Sequence, residues 1–562
     1  MPYRSTRVET PKLTAEAGIV DDMVRQFADR HAFLRELIQN GIDAGATRID
    51  VRLERGPDGA VRTSVEDDGT GMTRAIIEGP LLTLFESSKD ADSTKIGKYG
   101  IGFVSVFAIE PERVDVRTRT AKEAWVVRLF GDHSFELASD ASRPGTGTEV
   151  ILVHTMTAEA FAQHAERART ALLRWCRHAR VPITFVALDG FDQSGEAKAI
   201  NAELTLPGVV TLAVKEGDET FVVAVGDAGA DAEAAGSFSG FYNRGLTLME
   251  SSAAERGLDG IRFKIDSPRL SHTMSRDNIR RDRESERVVE RVRALVKGPL
   301  WEKVLERLAR AAEEASTTGT CEPYAALLMA ALESGFHGHT TSVIPVPLVE
   351  PIDGKRTVSI HALIRGRCTP AGEPVLVADA STALTRAVAG TGRAIVRHAS
   401  LAPLLRSLVG DVAFRDAEHA FAFACAVEER AEDASLAVEL ARLLRVAGRT
   451  VARVRLAAFS SVANESAYRV VRTTGDIALT SPDEAMNRRW GGSATLFLNG
   501  DHATVRLARR RAKNDLGLAA QLLCRTILVA EGPLDASVVD RLLGAAAVAG
   551  AVVDADARSA PQ

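Results

Sequence analysis

The chain has 562 residues, 45% of them hydrophobic and 26% charged, with a net charge of −5. That length is several times the ~100–200 residues of one domain, so three or four domains are expected, and the composition excludes an intrinsically disordered or fibrous chain. The slight acidity gives no whole-chain attraction to nucleic acid.

Residues 14–45 carry helical periodicity that ends at Gly45. TRIDVRLERGPDGAVRTSVEDDG alternates about a Pro-Asp-Gly turn and predicts a β-hairpin. A helical stretch from Thr73 to about Glu86 and a polar segment, SSKDADSTK, come next. RVDVRTRT, AWVVRLFG, HSFELAS and TEVILVHT predict antiparallel strands, closed by a helix over AEAFAQHAERARTALLRWCRHA. Together these make an α+β layered domain. A second α/β unit, from Asn201 to Ser316, contains the strands ETFVVAVG and GIRFKID and ends in a long amphipathic helix from Arg283 to Glu314. STTGT reads as a linker. A third unit holds EPVLVAD, STALTRAVAGTG and RAIVRH, a strand–helix–strand pattern that predicts a parallel pair, and residues 431–562 read as helix-rich.

The five cysteines, Cys176, Cys321, Cys368, Cys425 and Cys524, form no CxxC pair, which argues against a disulfide framework or a zinc site. MPYRSTRVETPKLTAEAG has no apolar signal-peptide region, and the run at 542–553 is shorter than the ~20 residues that cross a bilayer. A soluble, cytoplasmic protein with no membrane partner is expected.

Three motifs carry chemistry. RELIQNGIDAGATRI sets Glu36, Asn40 and Asp43 four and three residues apart, on one face of a helix whose Phe33, Leu37 and Ile38 call for burial. Alone, such a face could be a solvated polar stripe. EDDGTGM ends a strand with Asp67 ahead of Gly69 and Gly71; the carboxylate can accept from an exocyclic amine, and glycines admit a ring against the backbone, though a plain β-turn needs the same residues. IGKYGIGFVSVF places Gly97, Gly100 and Gly102 before an apolar segment, where helix-start amides can receive phosphate. This loop follows no strand of a βαβ unit, so a dinucleotide fold is excluded. GTGTEV at 145–150 adds Thr148 at the start of a late strand.

In this order the motifs resemble the ATPase superfamily of type II DNA topoisomerases, sensor histidine kinases, mismatch-repair ATPases and heat shock protein 90 chaperones. LRELIQNGIDA, DDGTGMT and IGKYGIGFVSVF are most similar to the chaperone branch, including its bacterial HtpG form. The resemblance implies an α+β multidomain chain: an N-terminal Bergerat-type ATP-binding α/β sandwich at 1–195, an α/β middle domain with a catalytic arginine loop at 196–316, a small α/β middle segment at 317–430, and a helix-rich C-terminal dimerisation domain at 431–562. It implies ATP and Mg²⁺ as cofactors. Glu36 would activate the attacking water, Asn40 would ligate Mg²⁺, and Asp43 would support the site. Asp67 would read the adenine amine with Thr148, Met72 and Phe103 would pack on the base, and Gly100 and Gly102 would offer amides to phosphate. Gly69, Gly71, Lys98 and Ile101 complete the implied binding set. Phosphoryl transfer needs mainly positioning and charge stabilisation, which such groups supply.

Two departures stand out. Gly79-Pro80 replaces asparagines that line the chaperone pocket, and the lid segment between Ser88 and Ile96 is much shorter. Lys89, Lys95 and Lys98, in or beside that segment, read first as solvated lysines. Further on, SPRLSHTMSRDNIRRD resembles the chaperone catalytic loop and implies Arg276 as the γ-phosphate cation. ATLFLNGDHATVRL resembles the family's dimerisation domain at Leu498, Asn499, His502 and Val505, with His502 read as structural.

The resemblance thus implies an ATP-driven dimeric clamp acting on client proteins in folding and stress response. A nucleic-acid-directed ATPase is the first alternative, against which stand the net charge and the lack of a nuclease or toprim-like metal cluster. A non-hydrolysing nucleotide-gated scaffold is the second, and Glu36 with Arg276 argues against it. A histidine kinase would need a phosphoacceptor helix ahead of the domain.

Overall fold

The computed structural model describes residues 29–82, 101–130, 134–190, 195–226, 236–273, 278–334, 341–365, 373–398, 401–409, 413–427, 429–460, 463, 465–473, 475, 477–480 and 490–545. The chain forms two compact units, Met1–Trp301 with Glu333–Gly335, and Glu302–Leu332 with Phe336–Gln562.

Period-two patterning lays down the first sheet: Val51, Leu53, Val61 and Val65 are buried, while Arg52 and Arg62 between them are exposed. The predicted hairpin is β1 (Ile49–Arg55) and β2 (Ala60–Asp67), turned at Gly59 with φ +84°. β3 (Arg113–Arg119), β4 (Ala124–Phe130), β5 (Phe135–Ser139) and β6 (Gly147–Thr155) follow as antiparallel strands, as their alternation predicts. β7 (Ile183–Asp189) and β8 (Lys198–Ala199) extend the sheet to eight strands in the order β5-β4-β3-β6-β2-β1-β7-β8. Among the described strands of this sheet, β1 and β7 are the pair that runs parallel.

Helices α1 (Phe33–Asp43) and α2 (Ala158–Cys176) pack with this sheet. Phe33, Leu34 and Ile38 of α1 and Ala168 and Leu172 of α2 share one core with Leu53, Val114 and Leu152. Thr157 starts α2 by accepting from the Ala160 amide at 3.2 Å. Of the helix expected over 14–45, Phe33–Asp43 is seen as α1, residues 29–32 form bend and turn instead, and 14–28 lie outside the described residues; Gly45, at φ +75°, follows its end as expected. The segment expected to be helical from Thr73 forms a short turn at Arg74–Ile76 and a π turn at Ile77–Leu81, and the rest lies outside the described residues.

A second sheet in the same unit contains β9 (Val210–Glu216), β10 (Glu219–Val225), β11 (Phe238–Asn243), β12 (Leu246–Ser251) and β13 (Ile261–Asp266), ordered β12-β11-β13-β10-β9. It rests on the end of α2 through polar contacts. Thr247 donates to the Arg174 carbonyl at 2.9 Å, Arg177 pairs with Glu250 at 2.8 Å, and Arg180 pairs with Asp266 at 2.8 Å. The helix predicted from Arg283 is interrupted. Helix α3 (Arg283–Leu295), started by an Asp282–Ser285 capping box, gives way to a π turn, Val296–Leu300, around Pro299, before helix α4 (Trp301–Thr318). Proline has no N–H for the ladder, so the helix changes winding there.

The second unit contains two five-stranded sheets. The predicted strand–helix–strand is present: strands Val375–Ala378 and Ile395–Arg397 pair in parallel around the helix Ala383–Ala389. Among the described residues the 431–545 region has the helices Ala431–Val446, Ala503–Ala512 and Leu516–Glu531, and further helix at 536–545, around one apolar core. It also has strands at Arg453–Phe459, Tyr468–Val471, Ile477–Thr480 and Thr495–Asn499, which its helical periodicity did not announce. His502 accepts from the Thr504 amide at 3.2 Å and so caps helix Ala503–Ala512, a structural role as expected.

Candidate functional site

The end of β2 is where the first domain departs from an apolar core. Asp67 closes the strand against β6 and α1, and each neighbour is shaped around it. Gly147 opens β6 at φ +121°, and a Cβ there would run into the Asp67 carbonyl. Gly41 in α1 leaves 3.1 Å between the place of its absent Cβ and that of Asp67. Gly71, at φ +69°, meets the Arg119 carbonyl in the same way. Arg143 donates to the Asp67 carbonyl at 2.7 Å and pairs with Glu66 at 3.1 Å. Asp68 accepts from the Thr47 and Arg48 amides at 2.6 and 3.0 Å, tying the loop after α1 to the end of β2.

Within this frame the Asp67 carboxylate is half-buried. Its Oδ1 accepts from the Gly69 amide at 2.8 Å and the Thr148 amide at 3.3 Å, and its Oδ2 has no hydrogen-bond partner among the described residues. Burial raises the carboxyl pKa, while the two amides and Arg143 pull it back. A fixed acceptor therefore faces an environment that rewards a donor. Thr148 lies opposite Thr118 across β3 and β6, their hydroxyls 3.0 Å apart, and the Thr118 hydroxyl also accepts the Met72 N–H at 2.7 Å. Thr118, Gly41 and Gly147 were not singled out from the sequence. Alternation in RVDVRTRT puts Thr118 on the same face as Val114 and Val116, a signal that could have found it.

These groups open on a cavity of about 560 Å³, within the range of small-molecule sites. Glu36, Asn40 and Asp43 line it from α1, with Asp67 and Thr148 from the sheet, and Gly71, Met72, Gly102 and Phe103 also on its wall. Glu36 is only 5% exposed, whereas Asn40 and Asp43 are exposed, so the triplet runs from the interior to solvent. Arg35 also lines the cavity; it is buried, with its guanidinium 5.5 Å over the Trp175 ring. Leu246, Leu248 and Leu270 of the second sheet and its following loop add apolar wall.

Of the remaining expected residues, Gly69 is buried and donates to Asp67 without lining the cavity, and Ile101 begins a short helix, Ile101–Val104. Gly97, Lys98, Gly100, Lys89, Lys95 and Arg276 lie outside the described residues. The residues flanking Arg276 close on each other, Thr273 N–H donating to the Asn278 carbonyl at 2.9 Å, and Ser271 and His272 line the cavity. Among the described residues no group of three or more His, Cys, Asp or Glu could hold a metal by itself, and no helix is long and apolar enough to cross a membrane.

Comparison with known proteins agrees with this arrangement. Residues 30–139 match the family model described as histidine kinase-, DNA gyrase B-, and HSP90-like ATPase. The chaperone protein HtpG of Methylobacterium sp. (strain 4-46) is 31% identical over 221 residues, covering 34% of this chain and 36% of the relative. HtpG of Gluconobacter oxydans (strain 621H) is 31% identical over 206 residues, 31% of this chain and 33% of the relative. HtpG of Methylococcus capsulatus is 29% identical over 225 residues, 34% and 35% respectively. The match thus spans about a third of the length of these curated relatives. Over residues 30–139 the chain is similar to the histidine kinase-, DNA gyrase B- and HSP90-like ATPases, and over about a third of its length to HtpG chaperones.

Proposed function

We propose that the chain binds and hydrolyses ATP with Mg²⁺ at the cavity beside α1, and that it works as a cytoplasmic chaperone of the heat shock protein 90 type on client proteins. The observation that carries this reading is the convergence of Glu36, Asn40 and Asp43 of α1 with the sequence-distant Asp67 and Thr148 on one cavity. Asp67 Oδ2 suits an exocyclic amine of adenine, with the Thr148 hydroxyl beside it. Met72 and Phe103 supply apolar contact for a purine. Glu36, held in the buried part of the face, is placed to orient and deprotonate a water. Asn40 offers a hard oxygen atom at the exposed end, which suits Mg²⁺, with Asp43 supporting the site; that ion takes few protein ligands and fills its shell with phosphate and water, and it would neutralise charge on the transferred phosphoryl group. Arg276 is assigned to the γ-phosphate, Gly100 and Gly102 to phosphate through their amides, and Gly69, Gly71, Lys98 and Ile101 to the remaining contacts. The proposed domains are 1–195, 196–316, 317–430 and 431–562, the last joining two copies in a homodimeric clamp.

The test is ATP binding by calorimetry and steady-state hydrolysis for wild type, Glu36→Ala and Arg276→Ala, together with sedimentation and suppression of aggregation of a model client. Glu36→Ala is expected to bind ATP and to lose hydrolysis by about 10²-fold or more. A variant that hydrolyses ATP like wild type removes Glu36 from the mechanism.

A further inference from the structure

The turn joining β11 to β12 is where the second sheet departs from what backbone chemistry prefers. Hairpin turns with positive φ at both central residues are served best by Asn-Gly or Gly-Gly. Here the pair is Arg244, φ +50°, and Gly245, φ +80°. Gly245 is dictated by space: a Cβ there would run into the His178 carbonyl, while its amide donates to Asp266 Oδ1 at 2.8 Å. No such constraint calls for arginine at 244. A left-handed arginine costs stability, so its retention points to its side chain.

That side chain crosses to the first domain. Arg244 Nη1 lies 2.7 Å from Asp43 Oδ1, on the last residue of α1 and on the same face as Glu36 and Asn40. On its other side, Asn243 donates Nδ2 to the Leu270 and Pro268 carbonyls at 2.7 and 3.3 Å. Leu270 and Ser271 are cavity wall. One turn therefore grips α1 through Arg244 and the 267–273 segment through Asn243, and both carry part of the site. The Arg244 and Asp43 side chains are 47% and 55% exposed, a setting in which an ion pair contributes little to folding. What the pair does is fix a geometry.

We propose that Arg244 is a positioning residue of the nucleotide site, holding α1 and the 267–273 segment in register across the acid–amide end of the cavity. The inference rests on the ATP reading above. It predicts that loss of Arg244 lowers turnover more than nucleotide binding, because Asp67, Met72 and Phe103, assigned to the base, are untouched.

Arg244→Gly tests it, since glycine accepts φ +50° without strain. Its thermal midpoint should equal or exceed that of wild type, its KM for ATP should stay within about twofold, and its kcat should fall about tenfold. Arg244→Asn, the other residue that tolerates this conformation, should behave alike, and Arg244→Lys, whose ammonium can still reach Asp43, should recover part of kcat. Adding Asp43→Asn to Arg244→Gly should lower kcat less than Asp43→Asn does in the wild-type background. A stable Arg244→Gly protein with wild-type kcat overturns this proposal alone. A wild-type chain that neither binds nor hydrolyses ATP overturns the ATP reading and this proposal together.

Discussion

His164 of α2 makes the first domain sensitive to acid. Its Nδ1 lies 3.1 Å from His31 Nε2 and its Nε2 lies 2.9 Å from Thr63 Oγ1, with the His154 ring 6.1 Å away. All three histidines are buried. Desolvation, then the neighbouring His31, His154 and Arg167, lowers the His164 pKa from 6.5 to about 4. Asp29 partly offsets burial at His31, and the Ile109 carbonyl and Glu112 do so at His154, whose pKa values are likewise lowered. Above pH 6.5 His164 is neutral in both folded and unfolded chains and contributes no pH dependence. Below 6.5 the unfolded chain takes up a proton that the folded one refuses until about pH 4, so stability falls as pH falls through that window. Between pH 8 and pH 5 this residue alone should remove about 2 kcal/mol. The assay is urea unfolding of the full chain followed by tryptophan emission, taking the transition that reports Trp125 and Trp175 of the first domain. His164→Gln should reduce the stability difference between the two pH values by about 2 kcal/mol relative to wild type. A reduction below about 0.5 kcal/mol would refute the assignment of this acid sensitivity to the histidine cluster.

Three further outcomes follow from the site and the core. Thr118→Val keeps the shape but leaves the Met72 N–H without its 2.7 Å acceptor, so it should cost about 1–3 kcal/mol in unfolding experiments and weaken ATP binding measured by calorimetry. Gly147→Ala must adopt φ +121° against the Asp67 carbonyl, and should destabilise the first domain by roughly 3 kcal/mol or prevent its folding. Gly79→Ala, with open space around it, is the neutral control in the same thermal melts. Burial pushes the Cys176 and Cys524 thiols up to about 12, so thiol labelling followed by peptide mapping should leave both unmodified until denaturant is added, while the half-buried Cys425 reacts first.

Much of the first domain was legible because its elements obey a single local period. The α1 triplet could be read from spacings of four and three, and the strands from alternation, without any partner being known. Thr118, Gly41 and Gly147 were harder, since each matters only through register. Thr118 faces Thr148 because β3 pairs with β6, and Gly147 is irreplaceable because β6 starts against the end of β2. In the second sheet β10 and β13 were legible as ETFVVAVG and GIRFKID, while β11 hid for a related reason. β11 pairs in parallel with β13 across a long sequence interval, and FSGFYN has glycine and polar positions where a strand pattern expects apolar ones. The kink after α3 was visible in principle, as Pro299 lies inside the apolar repeat, yet the repeat itself continues unbroken through it.

Why the site forms at the end of β2 can be argued from packing alone. Three glycines, at 41, 71 and 147, remove side chains around Asp67 and Arg119 where close packing would otherwise be completed by methyl groups. A domain selected only for stability would hold these segments far enough apart to seat such side chains, since each added apolar contact favours folding. Here the backbone is brought in close instead, which fixes Asp67 by two amides and leaves a space over Val65, Val116 and Val150. The same trade appears on α1, where a helix burying Phe33, Leu34 and Ile38 also carries Glu36 at 5% exposure. Glu36, at 5% exposure, and Gly71, with no side chain, both line the 560 Å³ volume, so the local loss of packing is best understood as the cost of holding a polar ligand.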